Sequence, residues 1–418
     1  MFNKIQILIF IIIIYLLTSC STTTSPLDVK KESTLPRALT STEKSLIEAD
    51  KNFGLKLFQS INESTTSDNI FISPLSVSFA LGMTLNGANG QTYEDMKSTL
   101  ELNGLTEQEI NEAYKSLIDL LLNLDEEVIM EIANSIWPRE GYPILPSFME
   151  INQKYFYSEA KPLDFNRTDA VDIINAWISE NTRGRIKDML DYIDPYAVMY
   201  LINAIYFKGT WTYQFDEEST QIDNFYTTPD NPNECQLMKI SGTWLYSHND
   251  FVEMVDLPYG DSLYSMTVLL PAANQTINEF IMQMTPEKLE QYFQNLNYKF
   301  GTITMPKLKL DYIQLLNDVL INLGMEIAFD PDAADFSRIN GYGGLYINRV
   351  IHQSFIQIDE EGTEAAAATI VEICLTSALP GNTGFHMYVN RPYIFIIRER
   401  VKNTILFIGK ITKPEWSK

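Results

Sequence analysis

The chain is poor in the residues that enzymes most often use for chemistry. Its 418 residues hold three histidines (His248, His352 and His386) and three cysteines (Cys20, Cys235 and Cys374). No C-x-x-C pair occurs, which argues against a zinc or thioredoxin-like framework. Neither H-E-x-x-H nor a G-x-S-x-G elbow is present, which removes the zincin and α/β-hydrolase patterns. Positive charge is also scarce. There are 31 Lys and Arg against 54 Asp and Glu, a formal net charge of −23. With no block of basic residues, nucleic acid and anionic membrane surfaces are poor candidates for the main partner. The expectation is a protein that is not an enzyme and carries neither metal nor cofactor.

Fragments of one catalytic signature do occur. Ser41-Thr42-Glu43-Lys44 fits S-x-x-K and Ser67-Asp68-Asn69 fits S-D-N, the first two elements of a penicillin-binding or β-lactamase site. The third element, K-T-G, is missing, because Lys208-Gly209-Thr210 runs in the wrong order. Cys235 and Cys374 read as separate thiols, with a disulfide between them left open. Three N-x-S/T triplets, at Asn62, Asn166 and Asn274, read as coincidence.

What is present is a large globular composition, 45% hydrophobic and 12% aromatic, enough for a sizeable core. The first residues stand apart. Lys4 precedes an unbroken apolar run, Ile7 to Leu17, too short for a mature membrane span. Leu17-Thr18-Ser19-Cys20 follows and resembles a bacterial lipoprotein signal, in which Cys20 is acylated and becomes the new N-terminus. Residues 1–19 are then a signal peptide and 20–41 a flexible tether rich in Ser, Thr, Pro and Lys. The folded domain spans 42–418. Such a protein is expected in the cell envelope, held by its lipid at an outer membrane or cell surface.

The periodicity predicts helices over 41–61, from Ser73-Pro74 to Gly87, after Thr92 and Thr106, over 168–189 and over 312–323. It predicts strands at 70–72, 128–137, 198–207, 264–270, 300–304, 347–358, 393–397 and 405–411. Helices dominate the first half and strands the second, with no linker between. That pattern gives a single α+β domain.

The most informative stretch is Asp359-Glu-Glu-Gly-Thr-Glu-Ala-Ala-Ala-Ala-Thr369. As a strand, it puts Thr363, Ala365, Ala367, Thr369, Val371 and Ile373 on one small or apolar face, and Glu364, Ala366, Ala368, Ile370 and Glu372 on the other. Alanine is a weak β-former. The segment suits a loop in one state and a strand in another, with Gly362 able to absorb the dihedral change at the pivot. An ordinary surface loop or helix start containing alanines fits the composition as well.

Five segments in order tie this stretch to a known family. Asn69-Ile-Phe-Ile-Ser-Pro-Leu-Ser76, Asn203-Ala-Ile-Tyr-Phe-Lys-Gly-Thr-Trp211, Asp359 to Thr369, Asn390-Arg-Pro-Tyr-Ile-Phe395 and Ile405-Leu-Phe-Ile-Gly-Lys410 resemble the signature segments of an inhibitory serpin. The match runs over roughly residues 42 to 414. The resemblance implies three β-sheets, eight to nine helices and an exposed reactive-centre loop. A target endopeptidase cuts that loop, forms an acyl-enzyme and is trapped when the loop inserts into the main sheet. The loop hinge would be Glu360, Gly362, Thr363, Glu364 and Ala365 to Ala368. Ser73, Ser76, Asn203 and His352 fall where the family keeps a hydrogen-bonded cluster under its central strands, with Asn203 able to partner His352. Trp211 and Glu360 fall at the top of the sheet. Gln353 stands where many members have Lys.

The resemblance implies a cut seventeen residues along from Glu360 inclusive, which ends at Thr376 and gives a reactive bond Thr376-Ser377 with Leu375 beside it. Counting back from Asn390 would move the cut toward Gly381. No Lys or Arg lies between Thr369 and Asn390, so a trypsin-like pocket finds no cation. Elastase-like or subtilisin-like targets fit, as do cysteine proteases reading Leu375. The expected state is a monomer. A non-inhibitory binding protein on the same fold is the rival reading.

Overall fold

The structure, a computed structural model, describes residues 34–228, 230–363 and 384–416. Eight helices of seven residues or more lie among them: α1 (Ser41–Ser64), α2 (Pro74–Leu85), α3 (Gly90–Thr99), α4 (Glu107–Leu122), α5 (Pro146–Phe156), α6 (Ala170–Asn181), α7 (Ile277–Gln283) and α8 (Pro286–Gln294). None is long and apolar enough to cross a membrane. Local chemistry sets several of their starts. Thr40 and Glu43, Thr106 and Glu109, and Thr276 and Glu279 form reciprocal capping boxes. Ser73 caps α2 with Pro74 at its first position. Thr92 does not cap α3, which begins at Gly90. Its buried hydroxyl instead accepts from the Asp335 amide at 2.9 Å, a tertiary contact outweighing the local one.

The strands are β1 (Ile70–Ile72), β2 (Val128–Pro138), β3 (Glu159–Ala160), β4 (Met199–Thr210), β5 (Gln221–Thr228), β6 (Asn231–His248), β7 (Val252–Tyr259), β8 (Tyr264–Pro271), β9 (Asn297–Pro306), β10 (Leu308–Leu315), β11 (Ile351–Ile358), β12 (Gly362–Thr363), β13 (Phe385–Tyr388), β14 (Tyr393–Glu399) and β15 (Ile405–Ile411). They form two hydrogen-bonded networks rather than three separate sheets. One runs β1-β15-β14-β8-β7-β6-β9-β13 with β5 beside β6, the other β10-β11-β12-β4-β2-β3. Two of the expected sheets merge because β6 is long. It pairs with β5 over 231–237, with β9 over 237–246 and with β7 over 245–248.

Residues 312–323 are not one helix. Residues 308–315 pair along their whole length with β11, and Leu308 and Tyr312 point inward while Ile313 and Leu315 are exposed. The following helical segment is broken at Gly324, where φ is 116°. The helix expected to reach Met189 ends at Asn181, because Arg183 and Gly184 adopt φ of 50° and 78°.

The main core fills the space between the two sheets and the helices α1 and α2. A second, smaller core lies on the other face of the six-stranded sheet, where Ile174, Trp177 and Ile178 of α6 meet Trp137, Ile202 and Ala204. Both faces of β4 are therefore covered. Ile202 and Ala204 point to the second core and Ile205 and Phe207 to the main one, as period-two alternation requires. Within the larger sheet, the Asp256 carboxylate is fully enclosed. It accepts from Arg398 at 2.9 Å, Arg400 at 3.0 Å, Thr267 at 2.6 Å and Ser265 at 2.8 Å. Burial alone would raise its pKa, but the two guanidinium groups outweigh burial and hold it low.

Candidate functional site

The centre of the six-stranded sheet has an unusual join. Among the described residues, β4 and β11 share no ladder with each other. They are linked through the two-residue strand β12, which pairs antiparallel with both. Thr363 stands opposite Ile358 of β11 and Gly209 of β4, and Gly362 stands opposite Thr210. The chain thus turns back on itself after β11 and starts a strand between its two neighbours.

Asp359 to Gly362 make that turn, and the sequence builds it locally. The Asp359 carboxylate accepts from the amides of Glu361 at 3.1 Å and Gly362 at 3.3 Å, an Asx-type turn, while its own amide donates to the Gly362 carbonyl at 3.0 Å. Trp211 then clamps it. The indole N–H donates to the Asp359 carbonyl at 2.9 Å and the Trp211 amide to the Glu361 carbonyl at 2.9 Å. The Phe215 amide donates to the Glu360 carbonyl. Trp211 is itself stacked on Tyr259, ring centroids 4.4 Å apart, and the Tyr259 hydroxyl is hydrogen-bonded to that of Thr363.

Glu360 is buried with a partner. Its carboxylate accepts from Lys307 Nζ at 2.5 Å and Thr220 at 2.6 Å, and Lys307 also lies 4.4 Å over the Trp416 ring. Burial pushes the carboxyl up, but these bonds outweigh it and leave its pKa below the usual range. Gly362 is required for a different reason than expected. Its φ is not in the left-handed region, and a Cβ there would collide with the Gly209 carbonyl and the Thr210 backbone. Gly209 is in turn bare because a Cβ there would meet the Tyr259 ring at 2.8 Å.

Beneath the strands lies the buried polar cluster, and it has two halves. In the first, His352 Nε2 accepts from the Ser73 amide at 3.0 Å, so that nitrogen is unprotonated. The Ser73 hydroxyl donates to the Leu406 carbonyl at 2.8 Å. Burial pulls the imidazole down to about 4. In the second half, the Ser76 hydroxyl donates to Asn203 Oδ1 at 2.5 Å, and Asn203 Nδ2 donates to Asn134 Oδ1 at 2.8 Å. The expected Asn203–His352 bond is not made. Each binds a different residue at the start of α2, and the Ser76 amide donates to the Ser73 hydroxyl at 3.2 Å, joining the halves. One helix N-terminus therefore holds β11 through His352 and β4 through Asn203. Asn134 and Ser354, which donates to the Phe71 carbonyl at 2.5 Å, extend the cluster. Sequence reasoning missed both. Neither stands out locally, since Asn134 adjoins Ser135 in β2 and Ser354 adjoins Gln353 in β11.

The remaining hinge residues Glu364 to Ala368, the segment Leu375, Thr376 and Ser377, and Cys20 and Cys374 lie outside the described residues. Cys235 forms no disulfide among those described, and burial raises its thiol to about 11. Ser41 begins α1, and Asn69 of the S-D-N fragment accepts from the amides of Thr412 and Lys413, so both fragments serve structure. Asn62 is buried and accepts from Lys410, which removes it as a glycan acceptor.

Comparison with known proteins agrees with this geometry. Residues 48–414 match the family model described as serpin (serine protease inhibitor). The chain is 34% identical over 383 residues to iripin-8 of Ixodes ricinus, covering 88% of this chain and 93% of that protein. It is 30% identical over 383 residues to human leukocyte elastase inhibitor, covering 88% and 99%. A solved structure of a thermophilic serpin, tengpin, in the native state, superposes with a TM-score of 0.80 at 32% identity, covering 90% of this chain and 95% of that one.

Proposed function

The chain belongs to the serpin family, and on that premise we propose that it is an irreversible, suicide-substrate inhibitor of serine endopeptidases, with cysteine endopeptidases that read Leu375 as a further class. The family model is described as a serine protease inhibitor and the human relative is named an elastase inhibitor, neither of them an enzyme. The observation that carries the proposal is the strand Gly362–Thr363, which already lies between β11 and β4 and pairs with both. Residues following it in the same register would continue that strand. The face of Thr363, Ala365, Ala367 and Thr369 is small enough to lie on the main core. Successive added residues hydrogen-bond alternately to the two neighbours and fill the ladders of both, so insertion runs downhill.

The cut bond is proposed as Thr376-Ser377, with elastase-like or subtilisin-like targets and no trypsin-like ones. The human relative is named for leukocyte elastase, a class that Leu375 and Thr376 suit. We also propose that the protein is exported as a monomer anchored through acylated Cys20, which labelled palmitate would mark and Cys20→Ser would abolish.

The test is incubation with an elastase-like and a trypsin-like protease. An SDS-stable complex is expected with the first and none with the second. The released C-terminal peptide should begin at Ser377. Loop cleavage without a covalent complex would overturn the inhibitor reading in favour of a binding protein on the same fold.

A further inference from the structure

Above the join between β4 and β11 runs the chain leaving α6. Thr182 locks it there. Its hydroxyl donates to the Ile178 carbonyl at 2.8 Å and accepts from the Ile186 amide at 3.1 Å. Asn175 of α6 adds a reciprocal pair to Leu190, its amide donating at 2.7 Å and its carbonyl accepting at 2.9 Å. Between these staples, Arg183 and Gly184 are held in the left-handed region, at φ of 50° and 78°. Arginine is uncommon in that region, so the surroundings must hold it there.

The turn aims two guanidinium groups at the sheet. Arg183 lies 5.1 Å over the ring of Tyr206 in β4 and pairs in bidentate fashion with Glu131 of β2, at 2.6 and 3.1 Å. Arg185 lies 5.3 Å over the ring of Phe355 in β11. Tyr206 and Phe355 share the sheet face that α6 covers, one on each side of the join. A cavity beneath the turn is lined by Arg185, Thr182, Ile205, Phe207, Ile356 and Thr363, so it reaches from the turn to the tip of β12.

We infer that the Arg183-Gly184-Arg185 turn is a clasp that holds β4 and β11 at a fixed separation and sets how readily they part. A planar guanidinium can stack on a ring and keep a carboxylate pair at once, which an ammonium does less well. Both arginines belong to one rigid turn stapled to α6, so they cannot follow two strands moving apart. Parting the strands must strip one arginine from its ring. The role of the clasp in timing loop insertion rests on the inhibitor reading above. Its role in holding the strands does not.

The experiment compares the wild type with R183A/R185A and R183K/R185K, using R349A as a control. Arg349 stacks on Tyr192 at 4.1 Å away from the join. Amide hydrogen exchange at residues 204–207 and 355–356 reads strand opening. Conversion to a urea-resistant, loop-inserted form reads insertion. R183A/R185A should exchange about tenfold faster at both strands, the combined weight of two partly exposed cation–π contacts. It should convert to the inserted form faster by a similar factor, with the lysine variant in between and R349A unchanged. Unaltered exchange at either strand in R183A/R185A would overturn the clasp. Faster exchange with no conversion in any form would leave the clasp standing and remove the inhibitor reading instead.

Discussion

His352 shows how one residue couples the cluster to pH. Burial holds its folded pKa near 4 against an ordinary 6.5, so the unfolded chain takes up a proton that the folded chain refuses. Its contribution to stability is whole above pH 6.5 and is lost as pH falls toward 4, by about 3 kcal/mol. His352→Gln should therefore flatten the decline of the urea midpoint between those values. A variant declining as steeply as the wild type would show that other groups dominate. His352 was singled out from the sequence through the resemblance, which puts it in a hydrogen-bonded cluster under the central strands. Its actual partner was not legible. The Ser73 amide reaches it only because α2 begins directly beneath β11, a matter of packing between segments 279 residues apart.

At the scale of elements, β12 has only two residues and is the most exacting. Thr363 is 3% exposed, with its hydroxyl bonded to Tyr259. Thr363→Arg would force a cation into that site, where burial without a partner is costly. The expected outcome is a chain cut by its target protease but forming no SDS-stable complex, whereas a pure binding protein would be indifferent. The β7, β8 and β14 strands depend on a second enclosed group. Asp256→Ala would strand Arg398 and Arg400 without their carboxylate, and should cost about 3–5 kcal/mol in chemical denaturation. A loss below about 1 kcal/mol would show the arginines re-partnered. Strong local signals located most elements: capping boxes, Ser-Pro starts and apolar runs. The strands β5, β6 and β7 escaped sequence reading. β6 carries Pro232, Gly242 and many exposed polar positions, and only its neighbours make it a strand. The segment 312–315 read as helix for the converse reason, because pairing with β11 overrode an ambiguous apolar pattern.

Among the described residues, the molecule is built around a sheet whose seam between β4 and β11 is joined through β12. The seam is bordered by His352 and Asn203 below, the Trp211–Glu360 turn at the top and the Arg183–Arg185 turn across the α6 face. The sequence by itself determined the α+β class and the family, and it shows the run of small residues after Gly362 and the absence of Lys and Arg between Thr369 and Asn390, because each is written in contiguous residues. Trp211 and Glu360, which the resemblance groups together, meet at the turn after β11, where Trp211 bonds the Asp359 and Glu361 carbonyls. Only the tertiary structure decided that Gly362 is demanded by contact with Gly209 rather than by its dihedral angles. The same holds for the split of the polar cluster between Ser73 and Ser76, and for one turn after α6 gripping both central strands. Those facts depend on which surfaces meet, and strands brought together from residues 131, 206 and 355 leave no trace of their meeting in the local pattern of any one of them.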